Sequence, residues 1–498
     1  MALSFVQYPV TESDKVPVLT NWTPLIGWML YQSDVASYFY HKLILEVRLD
    51  DGSGTLIAKI KQRRNGYSVD VSGNAARAFF DLRDVANSVL VDTVFDQNDT
   101  GVPFRAIHKV GANTSTKPFS VNGDNTNDKT QIQLLYVKGY EEYSLSASAS
   151  PTEQSGTSVT DVEFFTAASL PLMTARNTDP DYIQSNAFNV FSLSSSTKRF
   201  LSDLEASATG TIVGSATETN PGEVYRNYVQ GLGDYHTIGF LNGTTDFASN
   251  CYKIQVTYYD GSSQLTQNNF VNTDDDSTVD RGGKPPDEVS TDPQRILYFG
   301  CGTGNLTFQS VNVTARPNNA NNAGWTHYTV QALTNTGGGD GDPVSALYYF
   351  INQDGSCKGF KIRRLAFRNS LGCYDYFNFK MKSTSTIEVT RDNYSTMLGT
   401  FNKSRWRYNN TQRGKTTRQT TAILKETLQT DWISEQDANL LEKLVYSTDV
   451  YILENLDTDF TEGVVITDSS FVKKTVANDK LIQYTINIEY ANPINTNS

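Results

Sequence analysis

LIQYTINIEY, residues 481–490, decides the fold class. Ile482, Tyr484, Ile486, Ile488 and Tyr490 alternate with Gln483, Thr485, Asn487 and Glu489. Successive side chains of a strand point to opposite faces, so this run is a strand with one apolar and one polar face. Such a strand belongs to an antiparallel sheet with one wet side, or to a sheet whose polar side meets a neighbouring subunit. The same period recurs upstream. Leu43, Leu45, Val47 and Leu49 share a face, as do Leu56, Ala58 and Ile60, and the Asp and Gly content of 50–54 between them predicts a hairpin turn. Tyr67, Val69 and Val71 mark a third strand, and 131–138 a further one.

Helical spacing is scarce. Asp81 is placed to cap a helix through about residue 90 that lines up Leu82, Val85, Ala86 and Val89. Ser434-Glu435-Gln436-Asp437 resembles a capping box with Asp in place of Glu. The helix behind it, about 435–446, carries Leu440, Leu441, Leu444 and Val445. The fold expected is mainly β, multi-domain, with antiparallel sandwiches or sheets and a few short helices. Three domains are read. Residues 1–143 form a β domain with a short helix. Residues 144–344 form a loop-rich β domain, an insertion between the two ends, that opens on a Ser/Thr-rich solvated loop at 144–160. Residues 345–498 form a β domain, packing with the first, whose strands 361–367 and 374–379 flank a turn holding Asn369 and Gly372.

Composition narrows the function. The chain has 498 residues, enough for about two to four domains. Charged residues are only 19%, below the usual share of about 25%. Ser, Thr, Asn and Gln fill the gap, and 27 Tyr and 25 Phe favour strands and interfaces. A formal charge of −12 argues against a free nucleic-acid binder. Cys251, Cys301, Cys357 and Cys373 are too few for a disulfide scaffold, which points to folding in a reducing compartment. Residues 1–14 lack a basic segment followed by an apolar stretch, and no run approaches a membrane span, so neither an export signal nor a membrane crossing is expected.

No catalytic or cofactor motif is complete. Residues 295–306, RILYFGCGTGNL, look like the glycine-rich first motif of class I methyltransferases. That motif needs an acidic residue where Tyr298 stands and a helix after the turn, whereas the sequence beyond Leu306 alternates as a strand. A Gly-rich β-turn is the better reading. Arg413-Gly414-Lys415-Thr416 ends like a P-loop, but the glycine that would wrap the phosphate is replaced by Asn409. His41, His108, His236 and His327 are each isolated from cysteine, and Cys357 and Cys373 lack paired partners for zinc. The acidic cluster Asp124–Asp128 has Lys129 where a calcium loop turns on glycine. The chain is therefore read as a non-enzyme without cofactor or metal.

One surface signal stands out. From Tyr394 to Lys425 there is no acidic residue, while Lys403, Arg405, Arg407, Arg413, Lys415 and Arg418 are interleaved with Trp406 and Tyr408. Arg beside aromatics suits a subunit interface or contact with nucleic acid. A solvated basic loop that neutralises acidic neighbours is the plainer alternative.

The stretches NWTPLIGWMLYQSDVASYFYHKLILEVRL (21–49), FFDLRDVANSVL (79–90), RRLAFRNSLGCYDYFNF (363–379) and DWISEQDANLLEKLVYSTDVYILE (431–454) resemble virion proteins of tailed double-stranded DNA phages, the crAss-like group in particular. They cover at most a third of the chain, at its two ends. The resemblance implies a structural subunit of the neck or tail, assembled in the host cytoplasm. Such subunits multimerise into a cyclic ring, continue the DNA conduit from the portal and dock other ring or tail proteins, with non-specific contact to passing DNA. A receptor- or glycan-binding tail protein is the alternative, with Trp325 and Tyr328 among Asn/Gly-rich loops as its sugar platform.

Overall fold

A computed structural model describes residues 3–7, 18–19, 28–32, 35–49, 54–63, 75–90, 95–96, 105–106, 119–121, 132–156, 159–167, 200–204, 226–229, 234–242, 253–271, 295–307, 325–333, 343, 345, 347–352, 359–369, 372–407, 409–433, 435–455, 460–468, 470, 472, 482–492 and 494–497. Among them the chain is mainly β, with several antiparallel sheets and three short helices, Arg83–Val89, Thr303–Thr307 and Glu435–Val445. It divides into two compact units, one of Met1–Gln353 with Arg368–Asp375, the other of Asp354–Phe367 with Tyr376–Ser498.

In the first unit the hairpin read at 41–61 forms as strands Phe39–Leu49 and Leu56–Arg63, with Leu45 opposite Ile60. Leu43, Leu45 and Val47 bury their apolar face against Leu30, Phe80, Leu82 and Ala86, from a three-stranded sheet and the helix that follows it. The N-cap position of that helix is Leu82, whose side chain cannot cap it, and not the Asp81 expected; Asp81, one residue earlier, accepts from the Arg83 amide at 3.0 Å and pairs with the Arg83 guanidinium. Ile44, on the other face of Phe39–Leu49, is buried too and belongs to the same core cluster, and that face also carries a lattice of ion pairs. Glu142 takes Lys42 and Lys61, and Glu153 takes Lys59 and Lys61. Hydrogen bonds from these two lysines pull the Glu153 carboxyl down to about 2. The lattice helps to pin register, since slipping by one residue would turn each charge onto the apolar side.

Strand Val159–Ala167 lies antiparallel to Ile132–Ser144, from Ile132 opposite Ala167 to Tyr140 opposite Val159, and Thr152–Glu153 pairs with the same long strand. The Ser/Thr-rich stretch 144–160 is thus not all solvated loop. Its two ends and its middle carry sheet pairing, because backbone hydrogen bonding does not need an apolar sequence. Further along, Arg226–Val229, Tyr348–Asn352, His327–Leu333, Lys253–Asp260 and Ser263–Val271 make a five-stranded sheet. The tip of a hairpin closes this unit's polar core. Asn369 donates to the Leu201 carbonyl at 2.9 Å and accepts from the Cys373 amide at 3.0 Å. Asp375, fully buried, accepts from the Ser202 hydroxyl at 2.6 Å, the Asp203 amide at 2.9 Å and the Asn369 side chain at 3.1 Å.

The second unit is built on a sheet in the order Tyr374–Phe379, Arg363–Arg368, Val450–Asn455, Phe460–Ile466, Thr485–Tyr490, Lys415–Gln429, Thr384–Ser395. Ile482, Tyr484, Ile486, Ile488 and Tyr490 are all buried, as their alternation requires. Helix Glu435–Val445 lays Leu441 and Leu444 onto the same core. Ser434 and the strand read at Tyr67, Val69 and Val71 lie outside the described residues.

Candidate interaction arm

The basic stretch sits on an arm of the second unit. Strand Thr384–Ser395 is the edge of the sheet and pairs with Lys415–Gln429 along its whole length. At about 3.4 Å per residue its twelve residues run roughly 40 Å. The inner strand is held at its far end, where Lys425–Gln429 pair with Thr485–Glu489 and Gln419–Ala422 with Ile494–Asn497. Towards Lys415, among the described residues, only Thr384–Ser395 lies beside the rest of this strand. Every residue of the edge strand is exposed.

Register explains an unusual exposure. Residues opposite each other across an antiparallel pair share a face. Leu428, Glu426, Leu424 and Ala422 alternate along the inner strand, and Leu428 and Glu426 are buried. Glu426 accepts from Arg363 Nε at 2.8 Å and from the Tyr490 hydroxyl at 3.1 Å. Ile387 stands opposite Leu424, and Val389 opposite Ala422. The core-facing stripe therefore runs out along the arm with nothing over it among the described residues, and Ile387 is left 60% exposed. The other face carries Lys425, whose ammonium hydrogen-bonds Glu388 and holds its carboxyl below the usual range.

The arm's end is a second, smaller hairpin. Thr400–Asn402 pairs with Arg405–Arg407 around Lys403 and Ser404, and Lys403 takes a left-handed φ of 51°. Phe401 and Trp406 are opposite each other on one face, and Arg405 and Arg407 alternate to the other. Gly399, at φ 96°, lets the indole close down. A Cβ there would stand 2.6 Å from Trp406 Nε1. Phe401 remains 69% exposed, Met397 79% and Trp406 46%. Two hydrogen bonds tie the base of this loop, Thr396 N to the Gly414 carbonyl at 2.9 Å and Thr396 Oγ1 to the Arg413 carbonyl at 2.7 Å. Arg418 is the extra residue of a bulge, since Asp392 pairs with Gln419 and Asn393 with Thr417. A bulge sharpens the local twist and re-aims its side chain.

The structure thus gathers Lys403, Arg405, Trp406, Arg407, Arg413, Lys415 and Arg418 on one exposed arm. Tyr408 lies outside the described residues. Among the described residues, no carboxylate is within ion-pair range of Lys403, Arg405, Arg407, Arg413 or Lys415. Sequence reading missed the apolar half of the surface. Ile387, Val389, Met397, Leu398 and Phe401 carry no signal of exposure in the sequence, because alternation shows which side chains share a face and not whether anything covers it.

Other candidates resolve differently. A short helix, Thr303–Thr307, does follow the glycine-rich turn, and Asn305 turns back to accept from the His236 amide at 2.8 Å; past Thr307, the strand read beyond Leu306 lies outside the described residues. The strand before it, Arg295–Gly300, pairs antiparallel on both sides. The turn's amides are occupied: Cys301 and Gly302 donate to the His236 carbonyl, and Gly304 to that of Asp234. Lys415 and Thr416 begin a strand rather than a helix. Trp325 and Tyr328 are buried in an aromatic cluster with Tyr258 and Phe350, so they offer no platform to a sugar. Cys301 and Cys373 are buried free thiols; His108, Cys251, Cys357 and Asp124–Asp128 lie outside the described residues. No group of three or more metal-ligating side chains occurs, and no helix is long and apolar enough to cross a membrane, among the described residues. No protein-family model matches the chain, and no curated protein matches its sequence.

Proposed function

We propose that this protein is a structural subunit of a phage virion, multimerising into a ring of the neck or tail that continues the DNA conduit and docks other tail proteins. The arm carries the reading. The outer end of the arm is a two-stranded ribbon, which is marginal in water by itself, and the arm exposes Ile387, Met397, Phe401 and Trp406 together with Arg405, Arg407 and Arg413. Aromatic residues, Met and Arg are the side chains enriched where proteins meet. The resemblance of 21–49, 79–90, 363–379 and 431–454 to crAss-like virion proteins supplies the kind of assembly. An acidic balance elsewhere suits a conduit along which DNA slides without sticking.

Mass photometry and electron microscopy of the purified protein, alone and with neck and tail partners, test this reading. Closed rings, or incorporation into a partner's ring, are expected. A strictly monomeric protein that is also absent from purified particles refutes it.

A further inference from the structure

Charge is split within the chain. Residues 394–425 hold seven Lys and Arg and no Asp or Glu. Removing those seven from the 42 basic residues leaves 35 against 54 acidic ones, a net of −19 on the rest of the chain. The whole arm, 384–429, holds eight Lys and Arg against Glu388, Asp392 and Glu426, which leaves 34 basic and 51 acidic residues, a net of −17, on the rest of the chain. Arm and body are thus electrostatically complementary, yet the arm's exposed Lys403, Arg405, Arg407, Arg413 and Lys415 meet no carboxylate among the described residues. From this we infer that the basic–aromatic end of the arm seats head-to-tail on the acidic body of a second copy of the chain.

The inference rests on the proposed multimerisation and specifies the surface that drives it. Arm against arm would bring like charges together, whereas arm against body is attractive and repeats from copy to copy. A contact between two different surfaces of the same subunit generates a ring when its rotation closes. The Phe401–Trp406 face supplies an anchor of the kind that dominates interface energetics, and the cations around it steer the encounter. Nucleic acid would attract the same cations. However, Ile387, Val389, Met397 and Leu398 continue the apolar surface, and aliphatic side chains gain nothing from phosphate.

The test uses the full chain with a photo-crosslinking p-benzoylphenylalanine in place of the exposed Phe401, in a mixture of light- and heavy-isotope-labelled copies. Mixed-isotope crosslinks to peptides outside 384–429 are expected. The triple variant Arg405→Glu, Arg407→Glu, Arg413→Glu should raise the concentration at half-assembly by about tenfold or more, with its circular dichroism melt unchanged. Raising salt from about 0.05 M to about 0.5 M should weaken the wild-type assembly in the same direction. Crosslinks confined to arm peptides, absence of crosslinks, or a triple variant that assembles as wild type overturns the inference while leaving the ring reading intact. So does an arm that binds a labelled single-stranded oligonucleotide, losing it in the triple variant while self-assembly persists. A wild-type chain that never associates with itself refutes both.

Discussion

Replacing Asp375 with Asn removes one buried charge and keeps its shape. In the folded chain, burial first and the neighbouring Asp203 second push the Asp375 carboxyl up to about 7 from its usual 3.8. The folded form therefore holds this proton more tightly than the unfolded chain does. Its contribution is fully present below pH 3.8 and is lost as pH rises through about 7. At about 1.4 kcal/mol per pH unit, that interval is worth on the order of 4 kcal/mol. Asn fits the same hydrogen bonds. Its oxygen takes the place that accepts from the Asp203 amide and Asn369, and its amide donates to the Ser202 hydroxyl. Asp375→Asn should therefore be close to wild type near pH 4 and more stable near pH 8, by about 5 °C in melting temperature. Thermal unfolding of both proteins from pH 4 to pH 8 is the assay, and the difference between the two curves isolates this group from every other titration. A difference that stays constant with pH, or a variant less stable than wild type near pH 8, would refute the reasoning.

Glu426→Gln should leave the half-buried Arg363 beside a neutral partner and destabilise the second unit by about 3 kcal/mol, read by urea unfolding. A loss below about 1 kcal/mol would show that the pair is solvated. Gly302→Ala should be severe, by about 3 kcal/mol or more, because a Cβ would stand 2.3 Å from the His236 amide and 2.5 Å from the Asp234 carbonyl, both backbone atoms. Gly399→Ala should instead leave the melting temperature unchanged and alter only tryptophan emission, since its strain falls on the arm's end against Trp406.

Much of the fold is legible without coordinates. The alternation of 482–490, the hairpin 41–61 and the leucines of 435–445 all follow from side-chain geometry that local sequence expresses. The short helix at Thr303–Thr307 was hidden because the hydrogen bond it accepts, from His236 to Asn305, joins residues far apart in sequence. The strand pairing around 144–160 was hidden because its residues are polar and its partner is the backbone of Ile132–Ser144. The burial of Trp325 and Tyr328 depended on Tyr258 and Phe350, which reach them from other strands.

For the arm, the amino-acid sequence by itself determined a run of cations and aromatics without a single acid between Tyr394 and Lys425. That is a local property of composition, and its charge does not depend on folding. Only the tertiary structure decided that the run is carried on the sheet's edge, with the core-facing stripe of Leu428 and Leu424 continuing through Ile387 and Val389, which are exposed. Exposure is the absence of a neighbour. It is set by where the rest of the chain goes, and no spacing within the strand records it.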